Sequence, residues 1–221
     1  MIHDAREYIN KLKYEAHREL ATKEGYQWID IDFENNIIKP IIGSKLYHKA
    51  NLVEPLIKSI SPNKTIIDIG CDKGYFSWLA YKSGAFYVFA NEIHPNVHKF
   101  TKTLFKHMKC NRIEPLNRNL FTEKRTIIVD YVFAFAVIHQ IEGFGMESVI
   151  ERIRSFCSKG ALIEFCGDYR VRLGESWNLS NFESIVSKNF CSSSCVVSYE
   201  AINGDNPNNR GTRYIYDCRC N

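Results

Sequence analysis

The run Ile66-Ile67-Asp68-Ile69-Gly70-Cys71-Asp72-Lys73-Gly74-Tyr75-Phe76 joins a compact apolar stretch to a turn with glycines four apart. Glycine in such a turn lets the backbone approach a ligand closely, and a helix starting at Tyr75 offers free N–H groups. A dinucleotide fingerprint needs glycines in the spacing GxGxxG. Asp72 and Tyr75 stand where its second and third glycines would be, so the turn does not match a pyrophosphate cradle. About 20 residues on, the apolar run Phe86 to Ala90 ends in Asn91-Glu92, and a carboxylate at a strand tip is placed to accept hydrogen bonds from ribose hydroxyls.

His139 follows a third apolar run, Val132 to Val137, which sets it at the carboxyl edge of a sheet, where ligands bind in open α/β folds. A neutral imidazole there suits the removal of a proton from a hydroxyl near pH 7, and a structural histidine is the bland alternative. Glu164 ends the next strand at the same edge and could orient His139, bind substrate hydroxyls or cap a loop. Asp168, Tyr169, Arg170 and Arg172 follow in a polar segment that could wall an acceptor pocket. Paired arginines suit a phosphate or carboxylate, and a solvated loop explains them as well. Lys45, Tyr47 and His48, just ahead of the first motif, suit a lid over a sugar or nucleotide. Lys99, Lys102, Lys106 and Lys109 recur at helical spacing and read as the wet side of a helix, with nucleic-acid binding the less favoured alternative.

The elements that position these residues follow from periodicity. Residues 2–22 carry a helical apolar stripe, and residues 28–38 suggest a short hairpin turning at Asn35-Asn36. Gly43 to Lys49 reads as a loop or helix start, and Leu52 to Ile60 as a short amphipathic helix. Strands are expected at 65–69, 86–90, 126–136, 161–165, 195–201 and 212–218, with helices at 75–83, 96–108 and 148–158. Buried strands alternating with amphipathic helices mean βαβ units and a mainly parallel sheet. The last two strands, joined without a helix, must be antiparallel. Residues 1–50 then form an N-terminal helix and hairpin or lid extension, and residues 51–221 the ligand-binding domain.

The 221 residues include 29 Lys+Arg against 25 Asp+Glu and are 45% hydrophobic, which excludes a disordered chain. A net charge of +4 permits a nucleic-acid partner without arguing for one. No apolar run approaches the roughly 18–20 residues that span a bilayer, so no membrane insertion is expected. The N-terminus lacks a signal-peptide core, so the eight cysteines are expected as reduced thiols of a cytoplasmic protein. Cys191, Cys195, Cys218 and Cys220 could converge if the last strands form a hairpin. Their spacing fits no established ligand pattern, so no metal is assigned. The oligomeric state is not legible in the sequence.

Taken together, the ordered motifs resemble the class I S-adenosylmethionine-dependent methyltransferases. IDIGCDKGYFS is similar to that family's first motif, GAFYVFANEIHP to its second, and VDYVFAFAVIHQI to its fourth-strand motif. The resemblance spans roughly residues 50–221. It implies a Rossmann-like seven-stranded, mainly parallel sheet with an antiparallel last strand and helices on both faces. It also implies S-adenosyl-L-methionine as cofactor, held by Asp68, Gly70, Cys71, Asp72, Gly74, Tyr75, Phe76, Glu92, Ile93, Asn119, Leu120, Ala134 and Phe135. Asn119 departs from the family, which more usually has an acidic residue at the adenine position. The Lys-Asp-Lys-Glu tetrad of RNA 2′-O-methyltransferases is absent, as are the Pro-Pro-aromatic motif of DNA amino-methyltransferases and the acidic cluster of catechol-type enzymes. AVIHQIEGFGMESVIERI followed by ALIEF resembles bacterial sugar O-methyltransferases, which implies a glycan or small-molecule hydroxyl acceptor with His139 and Glu164 as catalytic residues. YQWIDIDFENNIIKP is similar to tRNA-modifying relatives and keeps RNA as an alternative acceptor, alongside a non-catalytic module of a larger complex.

Overall fold

The computed structural model describes residues 27–42, 44–124, 127–141, 143–167, 177–202 and 210–220. The helix expected over residues 2–22 lies outside them. A two-stranded antiparallel hairpin, β1 (Ile29–Asp32) and β2 (Ile37–Pro40), comes first. Asp32 Oδ1 closes its turn by accepting the N–H groups of Glu34 and Asn35 at 3.1 and 3.0 Å.

Helix α1 runs from Lys45 to Ile60, nearly twice the length expected. Ser44 caps it, its hydroxyl accepting the Tyr47 N–H at 3.1 Å. Its buried face is Leu46, Lys49, Ala50, Val53, Ile57 and Ile60. A lysine at an inward position interrupts the apolar period, which is why the sequence shows only the second half of the helix.

Then follow β3 (Thr65–Ile69), α2 (Tyr75–Lys82), β4 (Tyr87–Asn91), α3 (Pro95–His107), β5 (Ile113–Leu116), β6 (Val129–Ala134), a 3-10 turn (Ile138–Gln140), α4 (Met146–Phe156), β7 (Cys157–Cys166), α5 (Leu179–Asn189), β8 (Ser192–Ile202) and β9 (Arg210–Arg219). The sheet order is β5-β4-β3-β6-β7-β9-β8. The first five strands are parallel, and β9 is antiparallel to both β7 and β8. Strand β5 and helix α5 were not anticipated. Strand β5 is four residues long and contains Pro115, a residue that only an edge strand accommodates.

Two apolar layers cover the sheet. Ile66, Val88, Phe133, Leu162 and Ile215 pack with the buried faces of α1, α2 and α3. Ile67, Val132, Ile163 and Tyr216 pack on the other side with α4 and α5. The strand order reverses between β3 and β6, so the crevice for a ligand lies outside their carboxyl ends.

The last hairpin forms as expected, yet its cysteines do not gather. Cys191 and Cys195 are exposed, Cys218 is buried, and the Cys220 sulfur lies 3.8 Å from that of Cys157. Among the described residues no group of three or more His, Cys, Asp or Glu side chains is placed to hold a metal.

Candidate cofactor and acceptor site

The turn after β3 is made of left-handed residues: Gly70 has φ 68°, Asp72 φ 48° and Gly74 φ 83°. Aspartate tolerates that region better than most side chains, so the chain turns without a glycine at 72. The Gly70 and Cys71 N–H groups both donate to Asn91 O, at 2.8 and 3.0 Å, which ties the turn to the tip of β4. Glu92 completes the link. Its two oxygens accept the Asp72 N–H at 3.0 Å and the His94 N–H at 2.9 Å, and its side chain is 5% exposed. A carboxylate has about four acceptor sites, so two remain for ligand hydroxyls.

Gln27, just ahead of the hairpin, is a residue that sequence reading missed. Its side-chain amide donates to Cys71 O at 3.0 Å and accepts the Tyr75 N–H at 2.9 Å, while its backbone N–H donates to Asp72 Oδ2 at 2.6 Å. The turn is thus ordered by the chain itself, and the Asp72 carboxylate and the Tyr75 N–H already have protein partners. Lys73, also missed, is 1% exposed with no hydrogen-bond partner for its ammonium among the described residues.

Below the turn, Asp68 is buried and accepts the Ser77 hydroxyl at 2.6 Å. Burial pushes its carboxyl up to about 7; Ser77 pulls the other way, the Glu92 charge adds to the rise, and Lys49 opposes it. Burial also pushes the Cys71 thiol well above its ordinary range. Tyr75 and Phe76 are buried side by side, their ring centroids 5.2 Å apart.

On the β5 side, Asn117 donates to Glu92 O and Ile93 O at 2.7 and 2.9 Å. Ile93 is exposed, as is Asn119, whose Oδ1 accepts the Phe121 N–H at 3.2 Å; Leu120 is buried. Arg152 on α4 pins this loop, donating to Leu120 O at 3.0 Å and Glu123 O at 2.6 Å.

At the tip of β6, Ala134 and Phe135 are buried and Ala136 takes a left-handed φ of 53°. Val137 then meets the glycine turn, since a Cβ on Gly70 would lie 2.7 Å from Val137 Cγ2. His139, 4% exposed, follows in the 3-10 turn with its Nε2 3.5 Å from Gln140 Nε2.

Glu164 is fully buried on β7. Its Oε2 accepts from Lys49 Nζ at 2.6 Å and its Oε1 from the Tyr199 hydroxyl at 2.6 Å. Burial alone would raise its pKa, but Lys49 beside it, the Tyr199 hydroxyl and the nearby Arg213 hold it below the usual carboxylate range. Lys49 Nζ also lies 6.0 Å from the Phe76 ring centroid and 5.9 Å from that of Phe135. Of the expected lid, Lys45 opens α1, Tyr47 is half-buried and His48 is exposed, so these residues stand on a helical turn. Asp168, Tyr169, Arg170 and Arg172 lie outside the described residues.

No family model matches the sequence. Solved structures share its fold. The magnesium protoporphyrin IX methyltransferase from Synechocystis PCC 6803, determined with bound S-adenosylmethionine, aligns with a TM-score of 0.61 at 14% identity over 78% of each chain. The M. jannaschii tRNA m1G37 methyltransferase gives 0.59 at 14% identity, over 90% of this chain and 58% of that one. StiE O-MT gives 0.60 at 10% identity, over 79% of this chain and 75% of that one. At these identities the likeness establishes the fold alone: the Rossmann-like, mainly parallel seven-stranded sheet with antiparallel last strands that the motifs imply.

Proposed function

We propose that this chain transfers a methyl group from S-adenosyl-L-methionine to a hydroxyl of a sugar, glycan or other small acceptor. The observation that carries the reading is Glu92, buried at the tip of β4 and bonded to the glycine turn with acceptor capacity to spare. Two further features support it. The buried ammonium of Lys73 on the same turn, without a hydrogen-bond partner among the described residues, is the kind of atom that a ligand carboxylate satisfies, and this cofactor carries one. The fold is also shared with the magnesium protoporphyrin IX methyltransferase determined with bound S-adenosylmethionine.

When bound, the cofactor supplies an electrophilic methyl on a sulfonium centre. Asp68, Gly70, Cys71, Asp72, Gly74, Tyr75 and Phe76 form the floor of the pocket, Glu92 takes the ribose hydroxyls, and Ile93, Asn119 and Leu120 flank the base. Ala134 and Phe135 wall the crevice on the β6 side. A hydroxyl is a poor nucleophile until its proton leaves, and His139, just past β6, is the group assigned to take it near pH 7. Lys45, Tyr47, His48, Asp168, Tyr169, Arg170 and Arg172 are the residues assigned to the acceptor. The domain boundary proposed at residue 50 falls within α1, so the extension and the cofactor domain share that helix. No helix among the described residues is long and apolar enough to cross a membrane, and eight free thiols suit a reducing cytoplasmic compartment.

An RNA acceptor is the second reading. It is favoured by the exposed Lys99, Lys102, Lys106 and Lys109 along α3 and its end, and by the tRNA methyltransferase among the structural neighbours. The test is a screen for S-adenosylhomocysteine release with sugars, nucleotide sugars, polysaccharide and total tRNA. The first reading expects turnover with carbohydrate; turnover confined to tRNA would replace it with the second.

A further inference from the structure

Lys49 and Glu164 are 2.6 Å apart and neither side chain has any exposed surface. Taking both ions out of water costs several kcal/mol each, and apolar side chains of similar volume commonly serve stability as well or better. The rest of the buried face of α1 is Leu46, Ala50, Val53, Ile57 and Ile60, so an apolar residue at 49 would continue it. Stability therefore gives no reason for the pair.

Its position gives one. Phe76 stands two residues past Gly74 in the first turn of α2, and Phe135 lies just beyond the end of β6, with Lys49 Nζ about equally far from both rings. Gly70 and Val137 bring the same two tips into contact. The Lys49 ammonium thus lies beneath the rings that follow β3 and β6, the two strands between which the order reverses and outside whose ends the ligand crevice lies. Asp68 and Glu92, two carboxyl groups, come to that seam from β3 and the tip of β4, while Arg213 on β9 stands behind Glu164.

We propose that the Lys49–Glu164 pair sets the charge balance of this pocket and thereby its preference between a sulfonium donor and the neutral thioether left after transfer. The inference rests on the cofactor reading above. Donor and product differ by one methyl group and one positive charge, so a fixed buried charge nearby acts on their ratio more than on either affinity. Lys49→Met removes a cation and leaves Glu164, which favours the sulfonium. Glu164→Gln removes an anion and leaves the Lys49 cation, which favours the thioether. A buried unit charge roughly 10 Å from the sulfonium, at an effective dielectric constant of about 20, is worth about 3- to 30-fold in such a ratio.

The experiment is calorimetry of the full chain at pH 8 with S-adenosylmethionine and S-adenosylhomocysteine. The ratio of the two Kd values should shift about 3- to 30-fold in opposite directions for Lys49→Met and Glu164→Gln, and return near the starting value when both are combined. Lys49→Gln keeps a donor for Glu164, so it serves if the Met variant does not fold, and should shift the ratio as Met does. Structural damage weakens both ligands together; an unmoved ratio, or one moving the same way in both variants, overturns the proposal. A starting protein that binds neither ligand overturns the cofactor reading itself.

Discussion

Gly74 and Phe105 are in direct apposition: a Cβ built on Gly74 would lie 2.5 Å from Phe105 Cζ and 3.0 Å from Thr101 Cγ2. The turn is therefore fitted closely against α3 at Gly74, and against Val137, past the end of β6, at Gly70. A side chain at either glycine strikes protein, so substitutions there read stability before they read cofactor binding.

Gly74→Ala combines that contact with a φ of 83° that alanine rarely adopts. The left-handed backbone costs about 1–2 kcal/mol and overpacking a further ~1–3 kcal/mol. Urea unfolding should show a loss of about 2 kcal/mol or more, and an unchanged midpoint would show that the turn relaxes without strain.

Asp68 makes stability depend on pH. Its folded-state pKa is raised by burial to about 7 from an ordinary 3.8. The folded protein thus favours the protonated carboxyl: the contribution is complete below about pH 4 and is lost as pH rises through 7. Asp68→Asn should flatten this slope, so thermal melts at pH 5 and pH 8 should differ less in the variant than in the parent. An equal difference in both proteins would mean that Asp68 ionises in the fold without cost.

The thiols sort by burial. Cys191 and Cys195 are exposed, whereas Cys71, Cys110, Cys157, Cys166 and Cys218 are buried. Burial also pushes Cys157 up to about 12 and Cys110 up to about 11, away from the reactive thiolate. Iodoacetamide on the native protein, followed by peptide mapping, should label Cys191 and Cys195 first. Early labelling of Cys157 or Cys218 would contradict the packing of the β7–β9 layer.

His139 is the proposed base; it stands on the 3-10 turn past β6, whereas Glu92 follows the end of β4. His139→Ala should leave S-adenosylmethionine affinity nearly unchanged and lower turnover of a hydroxyl acceptor by roughly 10²–10⁴-fold. A variant that binds cofactor poorly would make His139 a packing residue, and normal turnover would point to an acceptor that needs no base, such as an amine or thiolate.

Much of this architecture is written locally. The run Thr65–Ile69 matches β3 residue for residue, and the hairpin turn at Asn35-Asn36 and the antiparallel last pair follow from turn chemistry and loop length. What the sequence hides are partnerships across long separations. Gln27 reaches the turn 44 residues away, and Lys49 reaches Glu164 at a separation of 115. Neither has a local pattern; Lys49 even disguises its own helix by placing a charge on the apolar face. Glu164 was legible as a carboxylate at the sheet edge, whereas its partners, Lys49 and Tyr199, come from α1 and β8 and needed the fold to be seen.

The most direct test of the account is calorimetric titration of the full chain with S-adenosylmethionine, repeated with Glu92→Ala. The parent should bind one equivalent, and the variant, folded by circular dichroism, should bind more weakly by about 1–3 kcal/mol, as expected when buried ligand hydroxyls lose their acceptor. A parent that takes up no S-adenosylmethionine, or a folded Glu92→Ala protein that binds it equally well, would contradict the assignment of this crevice as a methyl-donor site.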